Sequence, residues 1–145
     1  MTHTDETFLR RAIGLAAHAR ALGEAPFGSL LVGPQGDVLV EDWNTVLRDA
    51  DVTAHPELKL ARYAYRTLEV GIARGTTMYT SCQPCIMCVG AIERSGLGRV
   101  VFALSTEQFY ELEPAQTVVR DALRVAYDGP ALLDEARVPI DGYYP

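Results

Sequence analysis

Two short stretches carry the residues best suited to chemistry. TAHPEL (53–58) sets His55 and Glu57 on either side of Pro56, and TSCQPCIMC (80–88) holds all three cysteines, Cys82, Cys85 and Cys88. Imidazole and thiolate are the preferred ligands of zinc, at distances of about 2.0–2.3 Å. Two cysteines three residues apart on a helix share one face. Three protein ligands leave the fourth tetrahedral corner to water, the arrangement of a catalytic zinc, whereas four protein ligands make a closed structural site. His55, Cys85 and Cys88 are the ligands expected here. Glu57, two residues beyond a ligand, would reach the water without binding the ion. Cys82 stands on the other side of Pro84 and reads as a small buried hydrophobe, with fourth-ligand or redox duty as its alternative.

Those side chains need elements to hold them. Proline disfavours helical backbone in the residue before it and suits the first position of a helix, so His55 should cap a helix that Pro56 opens. Pro84 likewise marks the entry to a helix with Cys85 and Cys88 in its first turn. Helix N-termini carry partial positive charge, which favours the thiolate form. Around these two starts, the periodicity predicts a first helix over 5–22, with Phe8, Ala12, Leu15, Ala16, Ala19 and Leu22 recurring at helical spacing. An antiparallel hairpin follows, SLLVG (29–33) and DVLVED (37–42) around PQG. The helix opened by Pro56 should present Leu58, Ala61, Tyr65 and Leu68 as its apolar face. TTMYTS (76–81) reads as a strand running into the cysteines, CIMCVGAIERSG as a helix ending at Gly96, and RVVFAL (99–104) as a buried strand. Residues 106–126 should hold one or two short helices, the second from Pro114. The stretch 125–136 reads as an edge strand, a turn and a helical turn, and RVPIDGYYP (137–145) as an irregular tail. The order predicts an α/β fold, a three-layer α-β-α sandwich around a central mixed five-stranded sheet, in a single domain over residues 1–145.

Bulk composition narrows the function. The chain has 145 residues, 48% of them hydrophobic, enough for one sizeable core. No apolar run approaches the roughly 20 residues of a membrane span, and the N-terminal stretch lacks a signal-peptide core, so the expectation is a cytoplasmic protein with no membrane partner. Clustered cysteines without distant partners argue against a disulfide framework. A net charge of −6 with scattered basic residues makes nucleic acid an unlikely main partner and suits small neutral or cationic substrates.

Together, HPE at 55–57 and PCIMC at 84–88 match the H-x-E…P-C-x-x-C signature of zinc deaminases that act on nucleobases. The chain resembles the cytidine deaminase-like superfamily. PCIMCVGAI is similar to the branch of guanine deaminases, fungal-type cytosine deaminases and tRNA adenosine deaminases. The resemblance extends to APFGSLLV (25–32), to Asn44 after the second strand, and more weakly to GPALLDEA (129–136). It implies Zn2+ as cofactor and hydrolytic loss of ammonia from a small amino-substituted heterocycle, a free nucleobase or a nucleoside. Zinc brings the pKa of its bound water to about 7. Glu57 would take the water proton, pass it to a ring nitrogen and deliver the second proton to the departing ammonia.

The resemblance also implies substrate contacts. Asn44 would hydrogen-bond the base, though its type equally suits a turn after a strand. The backbone near Ala54 and Ser81 would line the pocket. Phe27 is a core residue or a pocket wall. Asp141 and Tyr143 of the tail would close over the base, or the tail aromatics would pack on the surface or on a partner subunit. Pro56 stands where alanine is more familiar, preserving ligand geometry, and Gln83 where glutamate is common, removing a charge beside the pocket. A homodimer, paired through the helices around the zinc, is implied as well. Editing of tRNA adenosine is the nearest rival, disfavoured by the acidic balance and by the nine residues that follow GPALLDEA. From another class, a non-catalytic zinc-stabilised scaffold would close the site with Cys82 and leave Glu57 without a task.

Overall fold

The computed structural model describes residues 1–112 and 125–144. Helix α1 (His3–Ala21) begins on a reciprocal cap: Thr2 Oγ1 accepts from the Asp5 amide, and the Asp5 carboxylate accepts from the Thr2 amide. That carboxylate also takes the Tyr79 hydroxyl at 2.7 Å and a bidentate Arg99 guanidinium at 2.8 and 3.0 Å, so one buried acid bolts α1 to two strands. The guanidinium and the phenol hold Asp5 well below the usual carboxylate range. Burial and the adjacent carboxylate push the Tyr79 phenol up to about 12.

Strands β1 (Gly28–Val32) and β2 (Val38–Trp43) form the expected antiparallel hairpin. β3 (Thr77–Cys82) pairs antiparallel with β1, and β4 (Arg99–Leu104) parallel with β3, giving a mixed sheet of order β2-β1-β3-β4. Side chains alternate across it. Leu30, Val32, Tyr79 and Val101 face α1 with Leu9 and Ala12. On the other face, Leu31 and Met78 pack under α3 (Pro56–Thr67) and α5 (Ile86–Ser95) through Leu60, Ala61, Ala64, Cys88 and Ile92. Helices therefore cover both faces, as the sequence predicts. At Gly28 the sheet and α1 approach so closely that a Cβ would lie 2.4 Å from that of Leu15.

Three expectations need correction. The sheet has four strands among the described residues, not five. The stretch expected as an edge strand, from Val125, forms none: it is exposed, and Asp128, Gly129 and Pro130 break its apolar run with a residue that has no N–H to donate. The second helix departs at one position of its expected face. It stops at Thr67, and α4 (Val70–Gly75) begins after Leu68 and Glu69. Ala61 is buried and Leu58 and Leu68 pack on the same core cluster, but Tyr65 is 76% exposed. The buried stripe turns toward Glu57, Leu60 and Ala64, which puts Glu57 against the sheet. α2 (Val46–Asp49) is a single extra turn. α6 (Thr106–Leu112) and α7 (Leu133–Arg137) match the short helices expected near those positions, while the helix expected from Pro114 lies outside the described residues. No helix among the described residues is long and apolar enough to cross a membrane.

Candidate active site

His55 is the N-cap residue of α3, in extended backbone (φ −77°, ψ 140°), with Pro56 as the first helical residue. Its side chain makes no capping bond, so the ring is free to face the cysteines. Cys85 holds the same place on α5 (φ −70°, ψ 167°), one residue earlier than the expected first turn, and Cys88 follows inside it. Packing of α3 on α5 brings the two helix starts together. Cys85 Sγ and Cys88 Sγ each lie 3.6 Å from His55 Nδ1 and 3.6 Å from one another. A tetrahedral zinc with bonds of about 2.0–2.3 Å requires ligand–ligand edges of about 3.5–3.8 Å. The donor set and spacing fit that ion. Among the described residues it is the one cluster of its kind, and Cys82 is outside it.

The electrostatics make Cys85 the thiolate of the pair. The hydrogen bond from the Cys88 thiol, with His55 beside it, pulls Cys85 down to about 4, while Cys88 keeps its proton as that donor and is pushed up. Cys85 in turn raises His55. Cys82 is different. Burial, with the Glu57 carboxyl nearby, raises it to about 11, which makes it a neutral thiol at ordinary pH.

Glu57 is 5% exposed and sits on the floor of the site. Its Oε1 accepts from Thr80 Oγ1 at 2.6 Å, with Ser29 Oγ 3.3 Å away, and its Oε2 lies 3.8 Å from Cys88 Sγ. Burial pushes its carboxyl up, and the Thr80 hydrogen bond offsets part of that rise. His55, Glu57 and Cys85 open into a cleft of about 110 Å³, walled by Phe27, Cys82, Phe109 and Tyr110 and rimmed by Gln83 and Thr106. That is well below the ~300–1,000 Å³ of sites for drug-sized ligands. A larger groove of about 860 Å³ adjoins it across Phe27, Cys82 and Phe109, but contains neither His55 nor Glu57.

The other expected contacts are distributed unevenly. Phe27 reaches the cleft and meets Phe109 edge to face, ring centres 5.5 Å apart. Ser81 lines the adjoining groove and accepts the Gly28 amide on its Oγ. Asn44 is buried, and its Oδ1 closes a turn by accepting from the Val46 amide at 3.1 Å. The Ala54 carbonyl accepts from the Thr45 amide within the same loop. Asp141 pairs with Arg137 at 3.1 Å and Tyr143 with Tyr144 on an exposed tail, and neither lines the cleft. Sequence reasoning passed over Phe109, Tyr110, Thr106, Ser29 and Thr80. Its usable signals were an aromatic pair just after a strand that runs parallel to the cysteine strand, and small hydroxyl residues at strand positions that should be apolar.

Comparison with known proteins points the same way. Residues 2–104 match the family model for the cytidine and deoxycytidylate deaminase zinc-binding region. A probable cytosine deaminase of Schizosaccharomyces pombe is 35% identical over 159 aligned positions, covering 99% of this chain and 94% of that protein. A tRNA-specific adenosine deaminase of Haemophilus influenzae is 38% identical over 101 positions, covering 70% of this chain and 58% of its own length. Guanine deaminase from Bacillus subtilis superposes with a TM-score of 0.76 at 30% identity, over 97% of this chain and 92% of that one. The matched region contains the whole sheet together with His55, Glu57, Cys85 and Cys88, and the chain belongs to the cytidine and deoxycytidylate deaminase family of zinc-dependent hydrolases.

Proposed function

We propose that this deaminase acts on a small amino-substituted heterocycle, a free nucleobase or a nucleoside, through one catalytic domain spanning the chain. The observation that carries the reading is a buried carboxyl, Glu57, facing a cleft of about 110 Å³ alongside His55 and Cys85, with Cys88 grouped behind them. Zinc held by His55, Cys85 and Cys88 would supply water acidified to near neutrality. The remaining steps belong to the chain. Glu57 would take one proton from water and give it to the ring nitrogen next to the amino-bearing carbon. It would then take the proton of the added hydroxyl and deliver it to the leaving nitrogen, so that water is consumed, a C–O bond forms, the C–N bond breaks and ammonia departs. Its raised pKa suits a group that must carry a proton for part of the cycle.

Phe27, Phe109 and Tyr110 form an aromatic wall for a flat ring. Asn44 has its oxygen committed to the Val46 amide, which leaves its NH₂ as the end offered to the base. The Ala54 carbonyl holds that loop through the Thr45 amide, and Ser81 lines the adjoining groove. A net charge of −6 and a cleft this small favour a small molecule over tRNA. The chain also pairs with a second copy through α3 and α5, which leave Tyr65, Ile86 and Val89 exposed. Sedimentation at micromolar concentration should show a dimer.

Ammonia release from a panel of amino-purines, amino-pyrimidines, their nucleosides and an anticodon stem-loop tests the assignment. Turnover of at least one small heterocycle is expected, with a loss of about 10²–10⁴-fold in Glu57→Ala. Turnover of the stem-loop alone would transfer the assignment to tRNA. No turnover on any member, with zinc lost from Cys82→Ser, would make this a scaffold.

A further inference from the structure

We propose that Ser29 and Thr80 are positioning residues for the reaction: a cross-strand hydroxyl pair that pins one oxygen of Glu57 and turns the other toward the metal ligands for proton traffic. The inference rests on the role given to Glu57 above. Ser29 on β1 and Thr80 on β3 are directly opposed in the antiparallel register, and both are fully buried on the sheet face beneath α3. A hydroxyl on each strand at such a position is unexpected, because the neighbours on that face, Leu31 and Met78, belong to the core. Their bonding explains them. Ser29 Oγ donates to Thr80 Oγ1 at 2.8 Å, and Thr80 Oγ1 donates its own proton to Glu57 Oε1 at 2.6 Å. The Ser29–Glu57 distance of 3.3 Å is the long side of the triangle, so the single Ser29 proton is better spent on Thr80. The two hydroxyls thus run head to tail into one carboxylate oxygen, an order in which each bond polarises the next.

The consequence is geometric. A carboxylate reached only from the solvent side could turn about its last bond and present either oxygen. With Oε1 fixed from below by the sheet, the plane of the group is set and Oε2 faces Cys88 and the metal ligands. The sheet, the most rigid part of the molecule, therefore dictates where protons are exchanged. Thr80 makes the direct bond, and Ser29 orients Thr80.

The test uses zinc-loaded protein and a substrate that the wild type turns over. Thr80→Val keeps shape and removes the hydroxyl, Thr80→Ser keeps the hydroxyl, and Ser29→Ala removes the outer member. Thr80→Val should lower kcat at least tenfold with KM within about twofold and zinc content unchanged. Thr80→Ser should stay within about threefold of wild type, and Ser29→Ala should fall between. Equal impairment of Thr80→Val and Thr80→Ser, or a kcat for Thr80→Val within twofold of wild type, would overturn the proposal. A second arm needs no turnover: thermal unfolding of metal-free Thr80→Val, Glu57→Ala and the double variant. Because the two side chains share one bond, the double variant should melt no lower than the worse single variant; fully additive losses in Tm would also overturn it. An inactive wild type defeats the assigned reaction, whereas additive losses defeat the pairing.

Discussion

Replacing Gly28 by alanine tests whether the contact between α1 and the sheet also sets the site. Gly28 opens β1 between Phe27, which walls the cleft, and Ser29, which bonds toward Glu57. An added Cβ would stand 2.4 Å from Leu15 Cβ and 2.6 Å from the Ala16 amide nitrogen. Relaxed carbon contacts lie at about 3.5–4.0 Å, so strand and helix must part by about 1 Å. Part of the obstruction is helix backbone, which cannot rotate away as a side-chain tip would. Overpacking then costs about 2–3 kcal/mol, the upper part of its usual range. For a chain of this size each kcal/mol moves the melting midpoint by roughly 2–4 °C, so Gly28→Ala should melt about 4–12 °C lower. Because a misplacement of about 1 Å near reacting groups can cost on the order of 10²-fold, ammonia release should fall disproportionately, even well below the melting range. Gly14 is the internal control. It lies mid-way along α1 on its exposed side, with nothing within 4 Å of its added Cβ. Gly14→Ala should be neutral or stabilising by up to about 1 kcal/mol with unchanged turnover. Melting curves followed by circular dichroism, with steady-state ammonia assays on the same preparations, settle the matter. A Gly28→Ala midpoint within about 1 °C of wild type would refute the reasoning.

Metal analysis should find zinc retained in Glu57→Ala and in Cys82→Ser, but largely lost from Cys88→Ser; retention in the last would remove Cys88 from the ligand set. After chelation, iodoacetamide at pH 6 should label Cys85, whose thiol is pulled down to about 4, at least tenfold faster than Cys82, raised to about 11. Peptide mapping reads the order, and preferential labelling of Cys82 would contradict it. Asp5→Asn tests the α1 clamp through pH. Because the folded carboxyl is depressed below its ordinary value near 3.8, its stabilisation is fully present above that value and fades as pH falls below it. Urea midpoints of wild type and Asp5→Asn should therefore differ at pH 7 and converge in strong acid, and a gap that widened toward low pH would reverse the assignment.

The parts of the site that the sequence disclosed are those where one residue type has few uses. Proline before a helix fixed the two caps, and His-x-Glu with Cys-x-x-Cys named the donors, because soft ligands at such spacing serve little else. The sheet's hairpin was legible from two apolar runs around PQG, and its mixed character from the order of helices and strands. What stayed hidden depended on choices between equivalent patterns. Leu58 and Ala61 of the expected stripe do pack on the core, but the demand to bring Glu57 to the sheet centres the buried face on Glu57, Leu60 and Ala64 and leaves Tyr65 outside it. Ser29 and Thr80 look like ordinary strand residues until register places them opposite one another. Phe109 and Tyr110 enter the cleft because β4 ends beside β3 at the metal-site end of the sheet, a neighbour relation that no local window contains.

The two helix caps have a further effect. His55 and Cys85 are separated by 30 residues, and an ion gripped by both acts as a removable cross-link that closes the intervening loop. By the loop-entropy relation for covalent bridges, closing about 30 residues restricts the unfolded chain by roughly 3–4 kcal/mol, a large share of the ~5–15 kcal/mol that holds a typical domain together. The ion is thus a tether as well as a reagent. Under zinc starvation the chain would become vulnerable to proteolysis, so that its abundance, and not merely its turnover number, would follow the supply of metal.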